Sequence, residues 1–273
     1  MTMKLQSLDF DGTDDFLDCG NGAAVQVTDK LTFGIWWESG AQADYEHMVK
    51  KWESVGDDRG WMMRTAHVSY PGCERRLHIV VSDDGVGTNQ KDWVSDIVNP
   101  ASGYVFNVLT WDSGTLKAYA QGTVVPSWTK TRDDAFTTIN NSTSPLEIMG
   151  SSPLKAKFIG AFLLDTEVAS QADVTALFNG GTPKDPRSIT WSGNQVLKAL
   201  IGFGKAYPKL PGADDVPDKV GTNHGTTQGS MTQDDVADTA YDAPNQVGRL
   251  DKYNDAVTLS TWNGIAPSTW NGA

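Results

Sequence analysis

Five aspartates crowd the opening of the chain, in "SLDFDGTDDFLDCGNG" (residues 7–22): Asp9, Asp11, Asp14, Asp15 and Asp18. Carboxylates at this density can gather a hard cation, act as a general acid and base, or form the polar edge and turn of a hairpin. Calcium takes six to eight oxygens from side chains and carbonyls, and the stretch lacks EF-hand spacing. Asp9 and Asp11 alternate with Leu8 and Phe10, which points them away from the apolar face of a strand. "GTDD" (12–15) has the composition of a tight turn. No metal is expected on these residues, and calcium stays open without assigned ligands.

Other chemistries find less. Glycoside hydrolysis needs two carboxylates about 5 to 10 Å apart across the scissile bond, yet Glu38, Glu46, Glu53, Glu74, Glu147 and Glu167 stand singly. His67, Cys73 and His78 lie close in sequence, with Cys19 far upstream, but their spacing matches no standard zinc site. There is no G-x-S-x-G elbow, no recognisable partner motif around either cysteine, and no glycine run that opens a helix after a strand. The chain is therefore expected not to be an enzyme.

The ten tryptophans are the other conspicuous set. Trp36, Trp37, Trp52, Trp61 and Trp111 fall in strand-like segments and read as core. Trp93, Trp128 and Trp191 fall near expected strand ends or loops. Trp93 and Trp128, together with Asn140 and Asn141 of "TINNSTS" (138–144), form a candidate glycan contact; an ordinary turn is the alternative for that loop. Trp262 and Trp270 sit in a repeated "STWNG" (260–264 and 268–272) and, with Trp191, are candidate assembly-interface residues. Folding back as a plug and stacking on a sugar remain alternatives for the repeat.

The elements that must position these residues are mostly strands. "LTFGIWW" (31–37), "EHMVKKW" (46–52), "GWMMRT" (60–65), "RLHIVVS" (76–82), "YVFNVLTW" (104–111), "LKAYAQG" (116–122), "PLEIMG" (145–150) and "KFIGAFLLD" (157–165) suit a pleated, half-buried surface. Asp112, Ser113 and Gly114 join two of them as a hairpin. "SQADVTALFNGG" (170–181) predicts one short helix, with Ser170 as N-cap, Asp173 three residues on, and Gly180 as the C-terminal glycine. Many strands and one helix predict an all-β, two-sheet antiparallel sandwich.

Acidic residues outnumber basic ones 34 to 22, giving a net charge of −12. That field repels phosphate backbones, so nucleic acid is not an expected partner. No apolar run has the length of a membrane-spanning helix. The opening "MTMKLQSLDF" does not read as a leader, so the two cysteines are expected reduced in a cytosol. Past residue 188 the texture changes: residues 212–255 hold nine aspartates against Lys219, Arg249 and Lys252. The expected organisation is a sandwich over 1–188 and an acidic C-terminal arm over 189–273, pairing in part with the sandwich or with a neighbouring subunit.

"LDFDGTDDFLDCGNG", "DKLTFGIWW", "SGYVFNVLTWDSGTLKAYAQGTVV", "SPLEIMGS" and "FIGAFLLDTEVASQADVTALFNGG" resemble, in order, successive segments of laminin G-like, concanavalin A-like jelly-roll domains. The resemblance covers about residues 5 to 182. It implies two antiparallel sheets in jelly-roll order, and a calcium site from separated loops in some members. Relatives that hydrolyse glycosides carry a Glu-x-Asp-x-Glu run, which is absent here. Residues 199–240 are similar to the stretch that often precedes the opening "FDG" strand in such domains, here displaced to follow the sandwich. The whole arrangement resembles virion proteins of tailed bacteriophages. It implies a virion structural protein, made in the host cytoplasm, that decorates a capsid by binding the major capsid protein or other virion proteins, as a homo-oligomer and by guess a trimer. The alternative is a carbohydrate-binding module of a phage tail or a bacterial surface.

Overall fold

The computed structural model describes residues 4–39, 46–54, 56–66, 75–150, 155–202, 215–216, 218–220, 225–228 and 232–240. In chain order the strands are β1 (Lys4–Phe10), β2 (Phe16–Asp18), β3 (Lys30–Ser39), β4 (His47–Glu53), β5 (Asp58–Thr65), β6 (Arg76–Gly85), β7 (Gln90–Val98), β8 (Tyr104–Asp112) and β9 (Thr115–Ala120). They continue with β10 (Thr123–Val124), β11 (Trp128–Asp133), β12 (Glu147–Ile148) and β13 (Ala156–Asp165). The helix α1 (Gln171–Phe178) follows, then β14 (Val196–Gly202), β15 (Asp215–Val216), β16 (Gly225–Gln228) and β17 (Thr232–Ala240).

These strands form a two-sheet antiparallel sandwich with one short helix. The first sheet runs β10-β9-β8-β3-β13-β1-β17, with β14 also on β13; the second runs β11-β7-β6-β5-β4-β12-β2-β16-β15. The core lies between them. Leu31, Phe33, Ile35 and Trp37 of β3 point inward with Val105, Leu109 and Trp111 of β8, against Trp61, Met63, Ile79 and Val81 of the second sheet. Trp37 donates its indole N–H to Asn107 at 3.1 Å, and Asn107 donates to Asn99 at 3.0 Å, so a polar chain threads the apolar core.

The first sheet is buried on both faces, which explains its nearly continuous apolar strands. Trp36, Phe106, Ile159 and Phe162 point outward into a second cluster beneath α1, with Val174 and Leu177 from the helix. Strand β13 supplies both faces by alternation, and a register shift between Phe158 and Gly160 changes which positions face inward. Phe158 is inward before the shift; Ala161 and Leu163 are inward after it. On the neighbouring strand, a Cβ at Gly34 would fall 2.2 Å from the Phe162 ring, so only glycine fits there.

Ser170 caps α1, and Asp173 completes a capping box. Asn179 and the expected Gly180 are both left-handed where the helix ends, Asn179 as the C-cap and Gly180 just after it. Asn tolerates that conformation through its short polar side chain. Asp173 also accepts from the Ser192 N–H at 2.9 Å and the Ser192 hydroxyl at 2.7 Å, which ties the chain after the helix back onto it.

Strands beyond residue 188 join the same two sheets. β14 extends along β13, β16 pairs with β2, and β17 pairs with β1. β17 is therefore the edge strand of the first sheet, while β16 lies between β2 and the edge strand β15 in the second.

One end of the sandwich is closed by the chain between β11 and β12. It bonds first the Gln90 carbonyl, then Thr28, Ser82 and Gly20, so it crosses both sheets. Lys51 anchors it: the side chain is 2% exposed and donates to the carbonyls of Ser142 at 2.6 Å and Ser144 at 2.9 Å, and to the Asn21 side chain. Burial pulls its pKa down to about 8, with Asp58 opposing, which leaves an ammonium with three donors for three acceptors at neutral pH.

Two substitutions test this packing by chemical denaturation. Gly34→Val, forced against Phe162, is expected to cost about 1–3 kcal/mol. Lys51→Met strands the two buried carbonyls of Ser142 and Ser144 and is expected to cost about 2 kcal/mol or more.

Candidate functional site

Trp93 and Trp128 are brought together, though neither lies in a loop. Trp93 is inside β7, and Trp128 opens β11, directly across from Ser95. Neither strand shows the apolar–polar alternation that marks a strand: "QKDWVSDIV" runs in blocks of polar and apolar residues, and "WTKTRD" is polar after its first position. Their rings meet at 5.6 Å between centroids and 51° between planes, at the outer edge of the second sheet.

The two indoles differ in what they offer. Trp93 is 8% exposed, and its face is taken: the Lys130 ammonium sits 3.9 Å from the ring centroid and that of Lys91 at 5.5 Å. Trp128 is half-buried and packs on the core from its margin. Phe136 closes the other side, stacked on Trp111 at 5.1 Å and facing Lys91 at 5.5 Å.

One carboxylate joins the two ammonium groups. Lys91 donates to one Asp133 oxygen at 3.0 Å, and Lys130 to the other at 2.9 Å. Burial pushes the Asp133 carboxyl up, but the bonds from Lys130 and Lys91 outweigh it and hold the group below the usual carboxylate range. Lys91 also donates to the Asp134 carbonyl at 3.1 Å. Next door, Arg132 is spent on the β6–β7 turn: it bonds the Gly87 and Thr88 carbonyls and the Asp134 carboxylate. The result is an exposed lysine and aspartate beside a half-exposed indole, braced from behind by a second indole and a second lysine. Lys91, Lys130, Asp133 and Phe136 were invisible as a set, although the two-residue spacing of Lys91 to Trp93 and of Trp128 to Lys130 carries the signal.

Asn140 and Asn141 have other duties. The Asn140 N–H donates to Ser82, its side chain packs against Gly85, and Asn141 donates to Gln26 at 3.0 Å. "TINNSTS" is the clamped closing loop, held by Lys51 and by Asp58, which accepts from the Thr143 N–H at 2.9 Å and hydroxyl at 2.7 Å. Trp191 is half-buried, 6.2 Å from Phe162, in the cluster under α1. Trp262 and Trp270 lie outside the described residues.

The outward face of the second sheet holds the remaining titratable groups. Lys50 pairs with Glu147 at 3.0 Å and His78 with Asp92 at 2.7 Å. Burial pushes the Glu147 carboxyl up, with Lys50 opposing, and lowers His78 against the pull of Asp92. The His78 ring has both nitrogens engaged, since Nδ1 accepts from Arg64 at 3.3 Å. Glu147 and Asp92 stand four strands apart, about 19 Å at the usual strand spacing and beyond the reach of a hydrolytic pair. Asp18 faces Glu147 on the adjacent strand, but it accepts from the Gly20 N–H at 2.8 Å, while Lys50 holds Glu147.

Asp11, Asp14 and Asp15 offer carboxylate oxygens within 4.8 Å of one another. Two of them already serve the turn: Asp15 accepts from the Asp11 N–H at 2.9 Å and Asp11 from the Thr13 N–H at 2.7 Å. The three carboxylates carry six oxygens, two of which accept these N–H groups, and carbonyls or water would supply the rest of the six to eight that calcium takes. No zinc set assembles among the described residues. Cys19 is buried in the core, where burial pushes its thiol up, His78 is committed to Asp92, and His67 and Cys73 lie outside the described residues.

No protein-family model matches the chain, and no curated protein matches its sequence. Solved structures do. A candidate carbohydrate-binding protein from Bacteroides ovatus ATCC 8483 superposes with a TM-score of 0.61 at 13% identity, over 86% of this chain and 61% of that one. This chain thus spans about three fifths of that protein's length. A heptameric SAP-like pentraxin from Limulus polyphemus aligns at TM-score 0.46 and 13% identity, over 75% of this chain and 97% of that one. The CBM40 of the Ruminococcus gnavus IT-sialidase gives TM-score 0.46 and 13% identity, over 64% and 99%. The first likeness shows the sandwich fold, of the jelly-roll type found in lectin-like domains. None of these likenesses lends support to the virion context or to a capsid partner.

His47 provides a pH test of the outward face. Burial first, then Arg64 and Lys50, lower its pKa to about 4, whereas an unfolded histidine titrates near 6.5. The unfolded chain therefore binds the proton first, and the stability due to neutral His47 is intact above about pH 6.5 and lost as pH falls towards 4. Thermal melts of His47→Gln are expected to decline less than wild type across that window, and parallel curves would refute the assignment.

Proposed function

We propose that this chain is a non-catalytic carbohydrate-binding domain whose contact surface is the Trp128 edge of the second sheet. The observation that carries this reading is the half-exposed Trp128 indole, braced by Trp93 at 5.6 Å, whose own ring carries the exposed Lys130 paired with Asp133. An indole face offers a sugar's C–H surface an apolar platform, and the charged neighbours offer donors and acceptors for its hydroxyls. Bracing from behind fixes the ring before binding, which lowers the ordering cost. The fold likeness to the candidate carbohydrate-binding protein of Bacteroides ovatus supports the same reading. Fold alone does not assign function, so the side chains of this edge carry the argument.

The non-catalytic reading is supported by the commitments of the facing pair Asp18 and Glu147, which accept from the Gly20 N–H and from Lys50. Glycan-array binding followed by titration calorimetry tests the proposal. Trp128→Ala is expected to weaken the best glycan ligand at least about tenfold, or 1.4 kcal/mol, with the thermal melt retained. Binding that survives this substitution undiminished would move the site elsewhere.

A further inference from the structure

We infer that the Trp128 edge selects glycans carrying a carboxylate over neutral ones, with Lys130 as the group that receives the acid. This inference rests on the carbohydrate-binding reading above and names the ligand class for the same surface. The argument is local charge balance. Across a chain of net charge −12, the edge gathers Lys91 and Lys130 around one carboxylate, Asp133, whose two oxygens are each bound by a different ammonium. Two cations and one anion leave one positive charge in excess.

That excess is directed outward through Lys130. The Lys91 side chain is 9% exposed and engaged by Asp133 and the Asp134 carbonyl; the Lys130 side chain is 41% exposed. An ammonium has three donors. Lys130 spends one on Asp133 and lays its charge over the Trp93 ring at 3.9 Å, a cation–π contact that holds it in place. A donor remains for a ligand beside the Trp128 indole. Arg132 and Asp134 cancel each other at 2.7 Å, so neither alters the balance. A sugar ring resting on Trp128 would bring an acid substituent to Lys130, where a charge-assisted hydrogen bond forms. In that geometry Asp133 opposes the ligand, since it competes for both lysines. For a neutral sugar Asp133 would instead be the principal acceptor for hydroxyls. The two ligand classes therefore predict opposite signs for one substitution.

The experiment titrates the intact chain with trigalacturonate and with galactotriose, its neutral counterpart, after an array of carboxylated and neutral glycans. Lys130→Gln is expected to weaken trigalacturonate about tenfold, with Lys130→Arg restoring most of the loss, while Asp133→Asn leaves the affinity equal or higher. Both side chains are exposed, and thermal melts verify that the variants fold. Tighter binding of galactotriose, with loss on Asp133→Asn, would overturn the acidic class and leave the carbohydrate site standing. Binding of neither class anywhere on the array would refute the carbohydrate reading and this inference with it.

Discussion

An ammonium buried at the end of the sandwich holds the remainder in place. Lys51 takes two backbone carbonyls and one side-chain amide oxygen as its acceptors, in a region that excludes water. Hydrogen-bond donors for those acceptors have to come from the protein, because an unpaired buried carbonyl is costly. The loop it grips begins at Asp134, next to the carboxylate that joins Lys91 and Lys130, and ends at β12, where the Lys50–Glu147 pair begins. One lysine thus sets the path of the chain between the candidate binding edge and the polar face of the second sheet.

The two sheets divide the work. The first is a structural slab, apolar on both faces, with α1, Ile189 and Trp191 covering its outside. The second has one apolar face and one that carries ion pairs, and its edge strands place tryptophan and lysine side by side. On the second sheet the outward ion pairs have no second apolar layer above them, unlike the part of the first sheet beneath α1.

That division also governs what could be read from the sequence. β3, β8 and β9 were legible because apolar runs and a Ser113–Gly114 turn mark them. The helix was legible from Ser170 and Asp173. β7 and β11 were not, since four of nine residues in β7 and five of six in β11 are charged or hydroxylic, which is how turn-rich segments also look. The register shift in β13 hides which of its positions face inward. Trp93 and Trp128 were identifiable as residue types, but the lysines over Trp93 depend on pairing between strands 37 residues apart in number, from Trp93 to Lys130. Asn140 and Asn141 looked like ligand donors because asparagine in a polar loop is ambiguous between recognition and turn-making. Cross-chain bonds to Ser82 and Gln26 decide for the second.

The pairing of β17 with β1 and of β16 with β2 has a consequence for biosynthesis. The N-terminal strands are the first to leave the ribosome, and their edge partners are among the last of the described strands. At roughly 5–20 residues per second, the nascent chain spends on the order of tens of seconds with both sheet edges uncovered. Open edges invite pairing with other chains, and contacts so distant in sequence form slowly. Those edges are covered only once residues 225–228 and 232–240 have been made, and the polar, aspartate-rich composition of the late segment keeps it in solution until it docks.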